Sequence, residues 1–408
     1  MDTIVYVKKV KGFEVKGKEG WVWKLNKSLY GTKQAPRMWK LKLTTILEQC
    51  GMFKSRSDDS LFLNKDLSLI LHVHVDDGFI IGKDDLLIQN FLSQIRNKIK
   101  IKSKRNPTQH LGYMLGWHED GSLSLVQSDL IKRLLHDNNM SESKDDKTPC
   151  NGNFHTEIGN KGEVVAITSF QQAIGSLNYL AQHTQPDIMF TINQLLHYSV
   201  NPTVKQWTMI KHLMRYLKAK LNYSLLFTKK DNKQISILEG WADANYANDR
   251  MDRKSISGIL TSVFGNPISW LSKKQIVVAQ STTEAEFIAM NICAKKLRWM
   301  SFLLMEMGIK DSKPMLYNEN SGATIIAKQA ALNTNTKHIE VWYQYLRDII
   351  SNNQLTIEQF GTEDMLSNVL TKTLGVQKLL EVYPQLHLKE FRGVLRKESP
   401  FEINEKTT

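Results

Sequence analysis

The stretch Trp241-Ala-Asp-Ala-Asn-Tyr-Ala-Asn-Asp-Arg250 and its sequel, through Arg253-Lys-Ser-Ile-Ser-Gly258, Ile268-Ser-Trp-Leu-Ser-Lys-Lys-Gln275 and Ser281-Thr-Thr-Glu-Ala-Glu-Phe287, decides the fold. A run of β-formers, Ile235 to Asp243, ends on an acid. Two more β-type segments follow, about Ile256–Val263 and Pro267–Leu271, each bounded by Gly, Asn or Ser as in a hairpin ladder. Ser281-Thr-Thr-Glu284 then reads as a capping box, with Ser281 as N-cap and Glu284 at the third helical position, before an apolar-periodic helix to about Met307. Asp243 is thus expected at a strand end and Glu284 near a helix start, whereas Glu286, two residues on, is expected to face away.

Carboxylates so placed suit Mg²⁺, which takes hard oxygen ligands and shares them with substrate phosphates. Two ions about 4 Å apart activate a water and stabilise the leaving oxygen of a phosphodiester. Taken singly, Asp243 also reads as a turn residue and Glu284 as a cap.

The whole block resembles the ribonuclease H domain of Ty1/copia-type retrotransposon polyproteins, which has a strand-end Asp, an Arg-Lys-Ser-x-Ser-Gly hairpin, an Ile-Ser-Trp-x-Ser-Lys-Lys-Gln strand and a Ser-x-x-Glu-Ala-Glu helix. That resemblance implies a mixed sheet flanked by helices and two-metal Mg²⁺ chemistry on the RNA strand of an RNA–DNA hybrid. It assigns Asp243 and Glu284 as metal-binding catalytic acids and Lys273 and Lys274 to nucleic acid. In Met315-Leu-Tyr-Asn-Glu-Asn-Ser-Gly-Ala323, Glu319 stands where the family's third catalytic Asp is expected. Asp364-Met-Leu-Ser-Asn-Val-Leu-Thr-Lys372 matches the closing Ala-Asp-x-Leu-Thr-Lys motif with Asn368 in the acidic position, which weakens a second metal; Asp364, one turn earlier, is a candidate compensation. Asn335 and Gln344 replace the family's Arg and His.

Upstream, Leu29-Tyr-Gly-Thr-Lys-Gln-Ala-Pro-Arg-Met-Trp39 leads into a helix to about Gln49, with Pro36 in its first turn. Lys33, Gln34 and Arg37 crowd that junction, either gripping phosphates or solvating a helix start. Leu69-Ile-Leu-His-Val-His-Val-Asp-Asp-Gly78 reads as a hairpin with acids at its tip. Both stretches resemble the copia-type reverse transcriptase, which implies catalytic, metal-binding roles for Asp76 and Asp77; His74 replaces its usual Tyr. The family's first catalytic Asp is expected before Met1, so polymerisation by this chain alone is not expected. On a strand, His72, His74 and Asp76 also share a face that would suit zinc.

In 408 residues, 54 Lys and Arg against 41 Asp and Glu give a net charge of +13, which favours a polyanionic partner. Three scattered cysteines argue against a disulfide framework or zinc knuckle and for an intracellular, cytoplasmic or nuclear setting. No uncharged apolar run reaches a membrane span.

The resemblance implies an α+β / α/β multidomain fold class: partial reverse-transcriptase fingers and palm (1–85), a thumb-like part (86–140), a linker (141–164), a connection (165–232), a ribonuclease H-like domain (233–375) and a tail (376–408). The Ile/Lys alternation of 96–105 suggests a basic strand. In the connection, Gln185 and Gln206 replace the family's Arg and His. The resemblance implies a truncated reverse transcriptase/ribonuclease H with weak Mg²⁺-dependent hybrid hydrolysis, whose partners are RNA–DNA hybrid or other nucleic acid and further transposon Pol and Gag products. The alternatives are a catalytically dead nucleic-acid-binding remnant and a decayed transposon copy, so enzyme activity stays open.

Overall fold

The computed structural model describes residues 4–13, 15–18, 20–150, 163–229, 236–249, 251–310, 313–328, 340–361, 363 and 365–391, with only the backbone of 340–343. It is a mixed α+β, multidomain architecture with several separate sheets. The chain forms two compact units, Met1–Lys104 with Leu303–Ile309, and Arg105–Phe302 with Lys310–Thr408. The first boundary between them falls at 104/105. No helix among the described residues is long and apolar enough to cross a membrane.

In the first unit, β1 (Tyr6–Lys8) pairs with β2 (Val22–Lys24). Helix α1 (Ala35–Gln49) follows, with Pro36 in its first turn, where a missing N–H costs nothing. Strands β3 (Met52–Lys54), β4 (Leu61–Asn64), β5 (Leu69–His74) and β6 (Asp77–Gly82) form an antiparallel sheet in that order. Helix α2 (Asp85–Arg96) is capped by Asp84, whose side chain accepts from the Leu87 N–H at 2.8 Å. Leu47, Phe62, Leu69, Leu71, Phe91 and Ile95 close the core between helices and sheet. Residues 97–104 form no strand, against expectation. Ile99 and Ile101 nonetheless pack on this core, so the Ile/Lys alternation records burial without sheet pairing.

The second unit opens with β7 (Gln109–His110), β8 (Tyr113–Trp117), β9 (Leu123–Val126) and α3 (Ser128–Asp137). Helices α4 (Ile167–His183), α5 (Met189–Leu196) and α6 (Val204–Ala219) lead to β10 (Tyr223–Phe227). Gln206 completes a capping box, accepting from the Thr203 N–H at 2.7 Å. Asp187 is buried, which raises its carboxyl pKa, and the Tyr216 hydroxyl donates to it, so this polar pair belongs to the core. Of the expected linker, residues 141–150 are docked: Asp146 bonds Arg215 at 2.6 Å, and Cys150 is buried.

The second sheet of this unit contains β11 (Leu238–Asn245), β12 (Ile256–Val263), β13 (Asn266–Lys274), β14 (Met315–Asn318) and β15 (Thr356–Gln359). Its spatial order is β13-β12-β11-β14-β15; the first three run antiparallel, and β14 and β15 parallel to β11. Helices α7 (Thr282–Glu306), α8 (Ser321–Lys328) and α9 (Glu340–Ser351) supply the crossovers. On the α7 side, the bare Gly240 lets Cys293 and Leu297 close on β11: a Cβ there would lie 2.7 Å from the Cys293 sulfur. The opposite face is covered by the α4–α6 region, where the Trp270 indole donates to the Ala181 carbonyl at 2.6 Å. A 3₁₀ turn (Leu366–Leu370), α10 (Val376–Val382) and β16 (Leu388–Glu390) complete the unit. Strand β16 joins β10 in the sheet β16-β10-β9-β8-β7. Within 376–391, expected as a tail, Leu388–Glu390 thus add a strand to this sheet and Leu379, Val382 and Leu386 pack into the core.

Candidate active site

Strands β11 and β14 lie side by side with Trp241 opposite Tyr317. Two residues further along each chain, alternation brings Asp243 and Glu319 to the same face at neighbouring positions. Helix α7 adds Glu286, and ligand oxygens of all three acids lie within 4.8 Å of one another. Asp243 and Glu286 are buried, 3% and 5% exposed.

Each buried carboxylate has an orienting donor. The Thr371 hydroxyl donates to Asp243 Oδ2. Asn318 Nδ2 donates to Glu286 Oε2 and to the Ala242 carbonyl, both at 2.9 Å. Gly258, opposite Asp243 in the β11–β12 register, makes room for the 3₁₀ turn: a Cβ there would meet Thr371 Cγ2 at 2.5 Å and the Ser367 carbonyl at 2.8 Å. Burial, then the Asp243 charge and to a lesser extent Glu319, push the Glu286 carboxyl up to about 9 against the Asn318 hydrogen bond.

Glu286, not Glu284, is the helix acid in this cluster. Glu284 accepts the Gln280 N–H at 2.8 Å, while its own N–H donates to Ser281 Oγ at 3.1 Å. Half of the expected capping box forms, the Ser281 side chain accepting from Glu284, while the Glu284 carboxylate takes the N–H of Gln280 instead of that of Ser281. Two residues on, about 200° around the helix, Glu286 points the other way. That direction was legible: Glu286, Met290, Cys293 and Leu297 recur at helical spacing, and the last three are fully buried. Glu319 is in the cluster despite its extra methylene. Asn368 sits buried on the 3₁₀ turn, three residues before Thr371. Asp364 and Asn335 lie outside the described residues, and Gln344 is exposed on α9.

Asp76 and Asp77 stand exposed at the tip of the β5–β6 hairpin. His74 pairs with Asp77, so the two-residue turn is Val75-Asp76 and Asp77 already belongs to β6. Val75 takes a left-handed φ of 57°, unusual for a β-branched residue. The Trp39 indole of α1 donates to its carbonyl at 2.6 Å and ties the tip to that helix. Among the described residues, His72, His74 and Asp76 do not gather as a metal-holding group.

Residues 1–152 match the family described as reverse transcriptase (RNA-dependent DNA polymerase). The chain is 32% identical over 389 residues to the retrovirus-related Pol polyprotein from transposon TNT 1-94 of Nicotiana tabacum, covering 93% of this chain and 29% of that protein. It is 34% identical over 377 residues to the corresponding polyprotein from transposon RE1 of Arabidopsis thaliana, covering 91% and 25%. The chain is a homologue of copia-type Pol polyproteins. As such it spans little more than a quarter of the first relative's length and a quarter of the second's. Among solved structures, the foamy viral protease-reverse transcriptase in complex with dsDNA aligns with TM-score 0.42 and 12% identity, over 84% of this chain and 61% of that one.

The expected nucleic-acid residues of this Pol chain differ in their freedom. Lys33 and Arg37 are exposed and Gln34 half-buried at the start of α1. Lys273 is exposed, but Lys274 is held in ion pairs with Asp249 at 2.6 Å and Asp252 at 2.9 Å. Burial works against its charge, yet those two carboxylates raise its pKa. Lys274 thus braces the β11–β12 connection.

Proposed function

We propose that the second unit carries a ribonuclease H-type centre that hydrolyses the RNA strand of RNA–DNA hybrids with Mg²⁺, within a Pol chain whose first part is of the reverse transcriptase family. The observation that carries this reading is the convergence of Asp243, Glu286 and Glu319 from a strand, a helix and a strand end within 4.8 Å. The three oxygen donors fit a hard divalent cation, because the burial of Glu286 and the charge of Asp243 beside it, which together raise its pKa, are offset by positive charge. Asp243, Glu286 and Glu319 would hold the metal, which when bound supplies an activated water and charge stabilisation at the leaving oxygen. The chain's own work is orientation: Thr371 fixes one oxygen of Asp243 and Asn318 one of Glu286. Asn368 offers a neutral oxygen, so a second ion is held more weakly than a carboxylate would hold it.

The test is cleavage of a labelled RNA strand in a hybrid with Mg²⁺ or Mn²⁺. Asp243→Asn is expected to abolish it and Asn368→Asp to raise it about tenfold; absence of cleavage even with Asn368→Asp would end the nuclease reading. The neutral Asn368 and the +13 charge favour a second reading, a nucleic-acid-binding protein without catalysis. Its binding would survive EDTA and Asp243→Ala and weaken steeply with salt. Asp76 and Asp77 are the proposed acids of a polymerase-type site; among the described residues no third acid gathers with them.

A further inference from the structure

Between β13 and the middle of α7, away from the acidic cluster, lies a groove of about 450 Å³. Ile259, Leu271 and Ile292 form part of its lining, and Lys295, Lys296 and Trp299 stand along its helix side. None of its lining residues is acidic. Trp299 keeps 37% of its surface exposed, and Lys296 Nζ lies 5.3 Å from its ring centroid. One turn on, Arg298 stacks at 4.8 Å over Phe302, which is 47% exposed. Lys295 Nζ is 5.6 Å from the Tyr345 ring.

We propose that this groove binds single-stranded nucleic acid, one base stacking on Trp299 while Lys295 and Lys296 take the flanking phosphates. A largely apolar floor, an open aromatic wall and cations on one rim match the two faces of a nucleotide: a π-surface of any sequence and an anionic backbone. The volume is of the size that ligand sites occupy. Charge complementarity selects this occupant over an apolar peptide, since the charged side chains in the lining, Lys295 and Lys296, are both positive and the chain as a whole is +13. On α7, Lys296 lies ten residues beyond Glu286, about 15 Å along the axis, so the groove is separate from the acidic cluster.

The experiment is fluorescence anisotropy of a labelled 12-nucleotide single-stranded DNA titrated with the full chain in EDTA, so the result does not depend on the nuclease centre. Trp299→Ala is expected to raise Kd about tenfold, and Trp299→Phe, which keeps a stacking face, to stay within about threefold of the unsubstituted chain. The double variant Lys295→Ala/Lys296→Ala, changed only on the rim, is expected to lower the slope of log Kd against log salt by about 1.4. Unchanged affinity and slope in a folded double variant would overturn the proposal, as would equal losses in Trp299→Ala and Trp299→Phe. Unchanged single-strand binding with a Trp299→Ala shift in sedimentation would also overturn it, assigning the groove to a second copy of the chain.

Discussion

Glu284 and Glu286 stand two residues apart and differ in everything that surrounds them. The first has a backbone N–H to satisfy; the second lies on the buried stripe and shares a confined volume with two other acids. The Ser281–Glu284 capping pattern is readable in the sequence, and a carboxylate that takes the N–H of Gln280 just before the helix is committed there. Asp243 and Glu319 were legible because strand alternation and a parallel register translate directly into neighbouring side chains. The confined acids have a pH consequence. A carboxyl raised in the fold, here to about 9 from 4.5, contributes stability that is complete below its unfolded pKa and lost as pH rises through the folded one. In EDTA the melting temperature of the chain is therefore expected to fall between about pH 5 and pH 9. Glu286→Gln should flatten that fall, and identical pH profiles for the two proteins would refute the cause.

At the level of elements, the long periodic segments were the most legible. Helix α1 and strand β12 end within a residue of the positions expected, because Pro36 and the hairpin residues mark them in the sequence. The segment at 97–104 misled because Ile/Lys alternation satisfies a buried-and-solvated pattern whether or not a neighbouring strand is present. Strand β16 was invisible for a different reason: three residues pairing with β10 across more than 150 positions leave no local signature. Between elements, the close approach at Gly258 makes a sharp prediction. Its missing Cβ is what allows the 3₁₀ turn to reach Asp243 through Thr371, and a backbone carbonyl at 2.8 Å cannot swing aside. Gly258→Ala should cost about 1–3 kcal/mol in thermal or denaturant unfolding and lower hybrid cleavage with it. Unfolding indistinguishable from the unsubstituted chain would show that the turn is not seated as described.

On the scale of the whole molecule, composition foretold a basic protein and the family resemblance a multidomain α+β one, but neither foretold where its cores would fuse. The helices expected as a connection cover one face of the sheet expected as a separate domain. Leu379, Val382, Tyr383, Leu386 and Leu388, from the expected tail, are buried in the same core. Each such side chain contributes about 1.5–3 kcal/mol, and together they rival the roughly 5–15 kcal/mol that holds a domain folded. A chain ending at Leu374 is accordingly expected to lose the cooperative melting of its second unit by circular dichroism. Retention of that transition would mean that 375–391 are dispensable.

The central claim is that Asp243, Glu286 and Glu319 act as one centre and that Glu284 does not. It is tested most directly by the rate of RNA cleavage in an RNA–DNA hybrid with Mg²⁺, measured side by side for Glu286→Gln and Glu284→Ala. The account predicts a loss of at least about 10²-fold for Glu286→Gln. For Glu284→Ala it predicts a rate within a few-fold of the unsubstituted chain and a stability cost of about 1 kcal/mol for the lost cap. The reverse pattern, cleavage surviving in Glu286→Gln and lost in a folded Glu284→Ala, would contradict it.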